Sequence, residues 1–201
     1  MARSRPVLLT AALSTAAVVG YLAYRGLAHD DDSSAGDAGA AATLTVATLP
    51  DFSLANLDGQ QQSIQSWPGK PMLINFWATW CGPCLREIPM LKELQTARPD
   101  MQVVGIAIDK PDLVAKFAGE QQFNYAILVG QNEAWQAASA LGVNIFALPF
   151  TVFTASDGSI LGVHTGELHA EHLEAFRAVA DALKAGNIDV AEARRRIGDA
   201  I

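Results

Sequence analysis

A chain of 201 residues, half of them hydrophobic and 17% charged, has material for one globular domain with its own core and a short attachment. With only two cysteines, its composition is neither that of a disordered segment nor that of a disulfide scaffold. From His29 onward 11 basic residues face 21 acidic ones, a net −10, which argues against nucleic acid or an anionic membrane surface as a partner of the domain.

The run VLLTAALSTAAVVGYLAY, Val7 to Tyr24, holds 18 residues without a charge. At about 1.5 Å of rise each they come close to crossing a hydrocarbon core of about 30 Å. Arg3 and Arg5 precede it and Asp30-Asp31-Asp32 follow, so residues 1–28 are predicted to be an anchor with a cytoplasmic N-terminus and the domain on the far side. A cleaved signal peptide is the alternative, with Gly26-Leu27-Ala28 as the small-x-small site, but the run is long for an h-region and ends in Arg25. No cysteine lies near enough for a lipid anchor. Residues 29–46, acidic and small, read as a flexible tether. The domain is expected over 47–187, with a tail of 188–201.

Within the domain, DFSLANLDGQQQSI predicts a hairpin, its strands near Phe52–Leu54 and Gln62–Ile64 around the Asp58-Gly59 turn. MLINFW, Met72 to Trp77, reads as a strand buried on both faces. Leu85, Ile88, Leu91 and Leu94 then recur at helical spacing, and Pro89 should kink that helix rather than end it. Met101–Ile108 is a second buried strand, parallel to the first across the helix. A helix over Pro111–Gln122, a strand over Ala126–Val129 and a helix over Asn132–Leu141 follow. A second hairpin pairs Phe150–Thr154 with Ser159–Val163 around Asp157-Gly158. Leu173, Phe176, Val179, Ala180 and Leu183 mark a last amphipathic helix, and Val190–Ile201 a short exposed one whose Arg194-Arg195-Arg196 is solvated.

The cysteines, Cys81 and Cys84, stand two residues apart in FWATWCGPC. A structural zinc needs two further ligands at fixed spacing, and no other cysteine exists. His164, His169 and His172 are distant in sequence and read as surface polar residues rather than metal ligands. A disulfide closing so small a loop adds little stability. Redox chemistry remains. A strand ending at Trp77 and a short loop place Cys81 at a helix start, where free N–H groups and the helix dipole favour its thiolate. Lowering a thiol pKa from about 8.5 to about 7 corresponds to roughly 2 kcal/mol, a plausible size for a helix end with one or two hydrogen bonds. Cys84 lies one turn deeper, so Cys81 should attack and Cys84 should resolve the mixed disulfide. Gly82 and Pro83 let the loop pass directly into the helix. Trp77 is expected in the core and Trp80 beside a substrate groove; Trp67 and Trp135 carry no assigned role.

The stretch NFWATWCGPCLREIP, Asn75 to Pro89, preceded by PGKPMLI, resembles the active-site signature of the thioredoxin superfamily. Within it the chain is most similar to the membrane-anchored, periplasm-facing TlpA/ResA-like thiol–disulfide oxidoreductases, over about residues 50 to 185. The resemblance implies an α/β thioredoxin-like fold: a central mixed sheet flanked by helices, with an N-terminal hairpin and an inserted helix and strand. It implies that ALPFTVF carries a cis Leu148-Pro149 bond facing Cys81 and freeing neighbouring backbone to pair with a substrate strand. Thioredoxin itself has an aspartate where this chain has Asn75. The ResA-like branch has a glutamate three residues past the second cysteine, and Glu87 is there, with the implied role of taking the Cys84 proton. Gly82-Pro83 is the thioredoxin dipeptide and leans towards reduction.

The reading is therefore a reductase of disulfides in exported proteins, using Cys81 and Cys84 with Glu87 and Asn75 managing protons, and Trp80, Gly82, Pro83, Leu148 and Pro149 lining the groove. Its only redox group is the Cys81–Cys84 disulfide, with no metal and no other cofactor. The resemblance implies the inner membrane with the domain in the periplasm, or a soluble periplasmic protein if the segment is cleaved. It also implies a membrane electron donor of the DsbD type, and substrates in cytochrome c maturation or copper-oxidase assembly. An oxidant or isomerase is one rival, and a metal-delivery or binding module on the same fold is another.

Overall fold

The computed structural model describes residues 46–143 and 147–201. The predicted anchor and all of the tether but Val46 lie outside the described residues. In the described residues seven strands form one sheet: β1 (Ser53–Asn56), β2 (Gln61–Ser63), β3 (Met72–Trp77), β4 (Gln102–Ile108), β5 (Ala126–Gly130), β6 (Phe150–Thr154) and β7 (Ile160–Thr165). Among the described residues five helices accompany it: α1 (Gly82–Ala97), α2 (Pro111–Gln121), α3 (Asn132–Ala140), α4 (Ala170–Lys184) and α5 (Val190–Gly198). The strand order is β2-β1-β5-β4-β3-β6-β7. The central trio β5, β4 and β3 is parallel, while β1, β2, β6 and β7 join antiparallel, which makes the sheet mixed as expected.

Every residue of β3 and β4 is buried, because helices cover both faces of the sheet centre. Alternation then sorts the side chains: Leu73 and Trp77 join the core under α1 and α4, and Ile74 and Phe76 join the core under α3. The inserted pair is α2 with β5. Its Phe117 and Phe123 rings close on Trp77 at 5.6 and 5.5 Å. The N-terminal hairpin pairs with β5 as an added antiparallel edge. Its turn relies on Gly59 at φ +76° and on Asn56, whose Oδ1 accepts from the Asp58 and Gln60 amides. Strand boundaries differ from expectation by a residue or two, most at β1 and β7, where ladder pairing extends past the apolar positions.

Helix α1 passes Pro89 and continues to Ala97, because the missing N–H removes one helical bond while Ile88, Leu91 and Leu94 stay packed.

The C-terminal helix corrects the expectation of an exposed tail. Ala193 and Ile197 of α5 are fully buried, and α5 packs on β7 and α4. Close approach is possible because β7 carries Gly162: a Cβ there would lie 2.6 Å from Ile197 Cγ2. The arginine triplet is divided. Arg194 donates to the Ile160 and Ala47 carbonyls, each at 2.8 Å, while Arg195 and Arg196 pair with Glu192 at the surface.

Candidate active site

Strand β3 ends at Trp77 and a three-residue loop, Ala78-Thr79-Trp80, delivers Cys81 to the start of α1. The loop is fastened from β4's end. Asp109 Oδ2 accepts from the Thr79 amide at 3.1 Å and from its hydroxyl at 2.5 Å. Cys81 is the N-cap of α1, with its Sγ accepting from the Cys84 amide at 3.3 Å. Sulfur thus occupies the place a serine oxygen takes in an ordinary cap, aimed at the unpaired N–H groups of the helix end. Pro83 in the first turn has no N–H to leave unsatisfied. The two cysteines are disulfide-bonded; Cys84 is wholly buried, Cys81 nearly so, and the neighbouring Trp80 is 71% exposed.

Glu87 lies one turn beyond Cys84 on the buried face of α1, with 1% of its surface exposed. Its carboxylate is bonded at both oxygens. Asn75 Nδ2, from β3, donates to Oε1 at 2.6 Å, and the Leu168 amide donates to Oε2 at 2.8 Å. Burial dominates these bonds and pushes the Glu87 carboxyl up to about 7, against the pull of the Leu168 and Asn75 donors. A carboxyl at that level exchanges protons near neutrality, as a general base for a thiol must.

Leu148-Pro149 is a cis bond. Since Phe76 pairs with Phe150, Pro149 stands one position earlier, level with Trp77 at the end of β3 that leads to Cys81. Leu148 is half-buried and Pro149 buried. The site residues expected from sequence fall on β3, the loop after it, the first turns of α1 and the entry to β6, with Trp80 and Gly82 exposed.

Several members of the site carry no sequence signal. Thr151 Oγ1 accepts from Asn75 Nδ2 at 3.1 Å, and Thr151 pairs in turn with His164 of β7, so Asn75, Thr151 and His164 share one row across the sheet. Arg86 is bidentate to Glu167, joining α1 to the loop before α4. The histidines correct another expectation. His172 is buried rather than at the surface, and its ring lies against that of His164, tilted by 40° with centroids 4.2 Å apart, because the loop before α4 folds back onto β7. Among the described residues no group of three His, Cys, Asp or Glu side chains is placed to hold a metal ion.

Residues 45–183 match the Redoxin family. The chain belongs to that family. It is 31% identical over 137 residues to the thiol–disulfide oxidoreductase ResA of Geobacillus thermodenitrificans, covering 65% of this chain and 76% of that one. It is 32% identical over 130 residues to the thioredoxin-like protein YneN of Bacillus subtilis, covering 62% and 74%. A solved structure from Chlorobium tepidum, assigned as the thiol:disulfide interchange protein DsbE, superposes with a TM-score of 0.60 at 26% identity, over 67% of this chain and 95% of that one. The fold is thus thioredoxin-like, and the chain is a thiol–disulfide oxidoreductase whose CxxC pair is Cys81 and Cys84.

Proposed function

We propose that this Redoxin-family member is a reductase of disulfides in exported proteins, with Cys81 attacking, Cys84 resolving and Glu87 taking the resolving proton. The carrying observation is the pairing of an N-cap sulfur at Cys81 with a buried carboxyl at Glu87, one turn past a buried Cys84. In the reduced protein, the Cys81 thiolate attacks one sulfur of a substrate disulfide; a mixed disulfide forms and one substrate thiolate leaves. Cys84 then gives its proton to Glu87 and attacks Cys81 Sγ. The substrate's second thiolate leaves, and the substrate has gained two electrons while Cys81–Cys84 closes. Asn75 holds Glu87 in place through both steps. Trp80, Gly82, Pro83, Leu148 and Pro149 line the groove that receives the substrate segment, and the Gly82-Pro83 dipeptide supports the reducing direction.

The 18-residue uncharged run of residues 7–24 supports an inner-membrane anchor with the domain on the periplasmic side. Among the described residues no helix is long and apolar enough to cross a membrane, and the run lies outside them. Outside that membrane no reductant pool is maintained, so the oxidised pair needs a membrane electron donor, of the DsbD type. Protein disulfides of cytochrome c maturation or copper-oxidase assembly are the substrates we infer.

Trapping tests this reading. A Cys84→Ser chain should hold exported partners in mixed disulfides through Cys81, and a Cys81→Ser chain should hold none. Equal trapping by both, or by neither, would contradict the assigned roles.

A further inference from the structure

The loop Gly166–His169 bonds to the entry of β6, to α1 and to β7. Gly166 donates to the Pro149 carbonyl at 2.9 Å, and Glu167 pairs with Arg86. The Glu167 carbonyl accepts from His164 Nε2 at 3.2 Å. The next two amides are consecutive donors with separate targets: Leu168 N–H bonds Glu87 Oε2 at 2.8 Å, and His169 N–H bonds His172 Nδ1 at 3.0 Å. His169 is the N-cap of α4 and His172 its third residue. A side chain reaching back from that position to the N-cap amide is half of a capping box, a place usually held by glutamate or glutamine. Here an imidazole holds it, and an imidazole accepts at Nδ1 only while that nitrogen is unprotonated.

We propose that His172 is a positioning residue for Glu87: its unprotonated Nδ1, by holding the His169 N–H, fixes the loop so that the Leu168 N–H stays bonded to the buried carboxylate. This rests on the reading of Glu87 as the proton acceptor and gives His164 and His172 a role. His164 clamps the same loop from β7 through the Glu167 carbonyl, and its ring lies against that of His172.

The titratable groups against His172 are His164 on β7 and His169 in the loop; the same loop carries Glu167, paired with Arg86 of α1, and bonds Glu87, and Glu171 stands in the first turn of α4. On α5 the charges are engaged elsewhere, Arg195 and Arg196 with Glu192 and Arg194 with carbonyls. Protonating His172 turns its acceptor into a donor facing another donor and adds charge beside His164 and His169, so the cap opens and the Leu168 amide is released.

The test is a carbon-13 titration of the Glu87 carboxyl in the oxidised full-length chain, with amide hydrogen exchange at Leu168 and His169. His172→Leu removes the acceptor at every pH. It should raise the Glu87 midpoint by about one unit, the scale of one hydrogen bond to a charged group, and expose both amides to exchange. His172→Gln restores an acceptor that does not titrate, and should return both readouts to wild-type values. Should the leucine variant fail to fold, wild type against His172→Gln decides. On acidification wild type should lose His169 amide protection, and the glutamine variant should keep it. An unshifted Glu87 midpoint in His172→Leu, or the same loss of His169 protection on acidification in wild type and His172→Gln, overturns the proposal. Neither readout needs turnover, so a failed catalytic role for Glu87 would be recognised separately, by unimpaired resolution in Glu87→Gln.

Discussion

Asn75 Nδ2 donates to Glu87 Oε1 at 2.6 Å, joining the middle of β3 to α1 beneath the disulfide. The buried carboxyl comes from the helix, and the strand contributes a donor that holds it. Asn75→Asp would set a second carboxyl against the first. Two carboxyls at that distance cannot both ionise in a buried site, so they should titrate as a pair with one midpoint raised well above 7. Carboxyl NMR titration checks it. Two independent midpoints in the ordinary carboxylate range would contradict the geometry.

Stability should fall as pH rises through the Glu87 range. The folded chain holds this proton up to about 7, whereas the ordinary value is 4.5, so between those values the folded state binds more proton than the unfolded one. The contribution is complete below about 4.5 and lost by about 7, a total of about 3 kcal/mol. His164 acts with the opposite sign, since burial lowers its pKa and its contribution grows with pH up to its ordinary value. The difference between wild type and Glu87→Gln isolates the carboxyl. Urea midpoints from pH 4.5 to 8 should converge or diverge along that slope, and parallel curves would show that Glu87 does not titrate there.

In single turnover, Glu87→Gln should leave attack by Cys81 intact and slow resolution by about 100-fold or more, the usual scale of a lost general base. The Cys81 mixed disulfide should then accumulate in quenched-flow samples. Resolution at the wild-type rate would assign the proton to solvent instead.

Asp109 is the fastening of the loop that presents Trp80 and Cys81. Asp109→Ala strands the Thr79 amide and should cost about 1–3 kcal/mol. Because the loop rather than the helix is freed, kcat/KM with a protein disulfide should drop more than reactivity towards a small disulfide. An equal drop in both would place the effect on the cap itself.

Gly162→Val should push α5 off β7, since even a Cβ meets Ile197 at 2.6 Å. Overpacking of this kind costs about 1–3 kcal/mol. Trypsin should then cut sooner at Arg194, Arg195 and Arg196, and unchanged cleavage would mean that the helix repacks around the larger side chain.

The core of this fold is legible because β3 and β4 are continuous apolar runs and α1 follows a helical period through Pro89. Cys81 and Cys84 are legible because they lie close together in the chain, and Glu87 through the resemblance to the ResA-like branch, its i, i+3 spacing from Cys84 placing it on the same helix face. The remainder of the site joins residues far apart in sequence. Leu168 reaches Glu87 through a backbone amide, which no side-chain pattern announces, and Thr151 reaches Asn75 only through strand register. The tail helix misleads because three consecutive arginines dominate its composition. Its buried side is only Ala193 and Ile197, and the partner that makes them fit is a glycine on another strand.

The most direct test of the central claim is the reduction potential of the Cys81–Cys84 couple in the full-length chain, equilibrated in graded dithiothreitol or glutathione buffers and followed by tryptophan fluorescence. A reductase fed by a membrane donor should lie near or below about −230 mV, between the glutaredoxins and thioredoxin. A value near about −120 mV, that of a strong oxidant, would reverse the direction of electron flow and contradict the account.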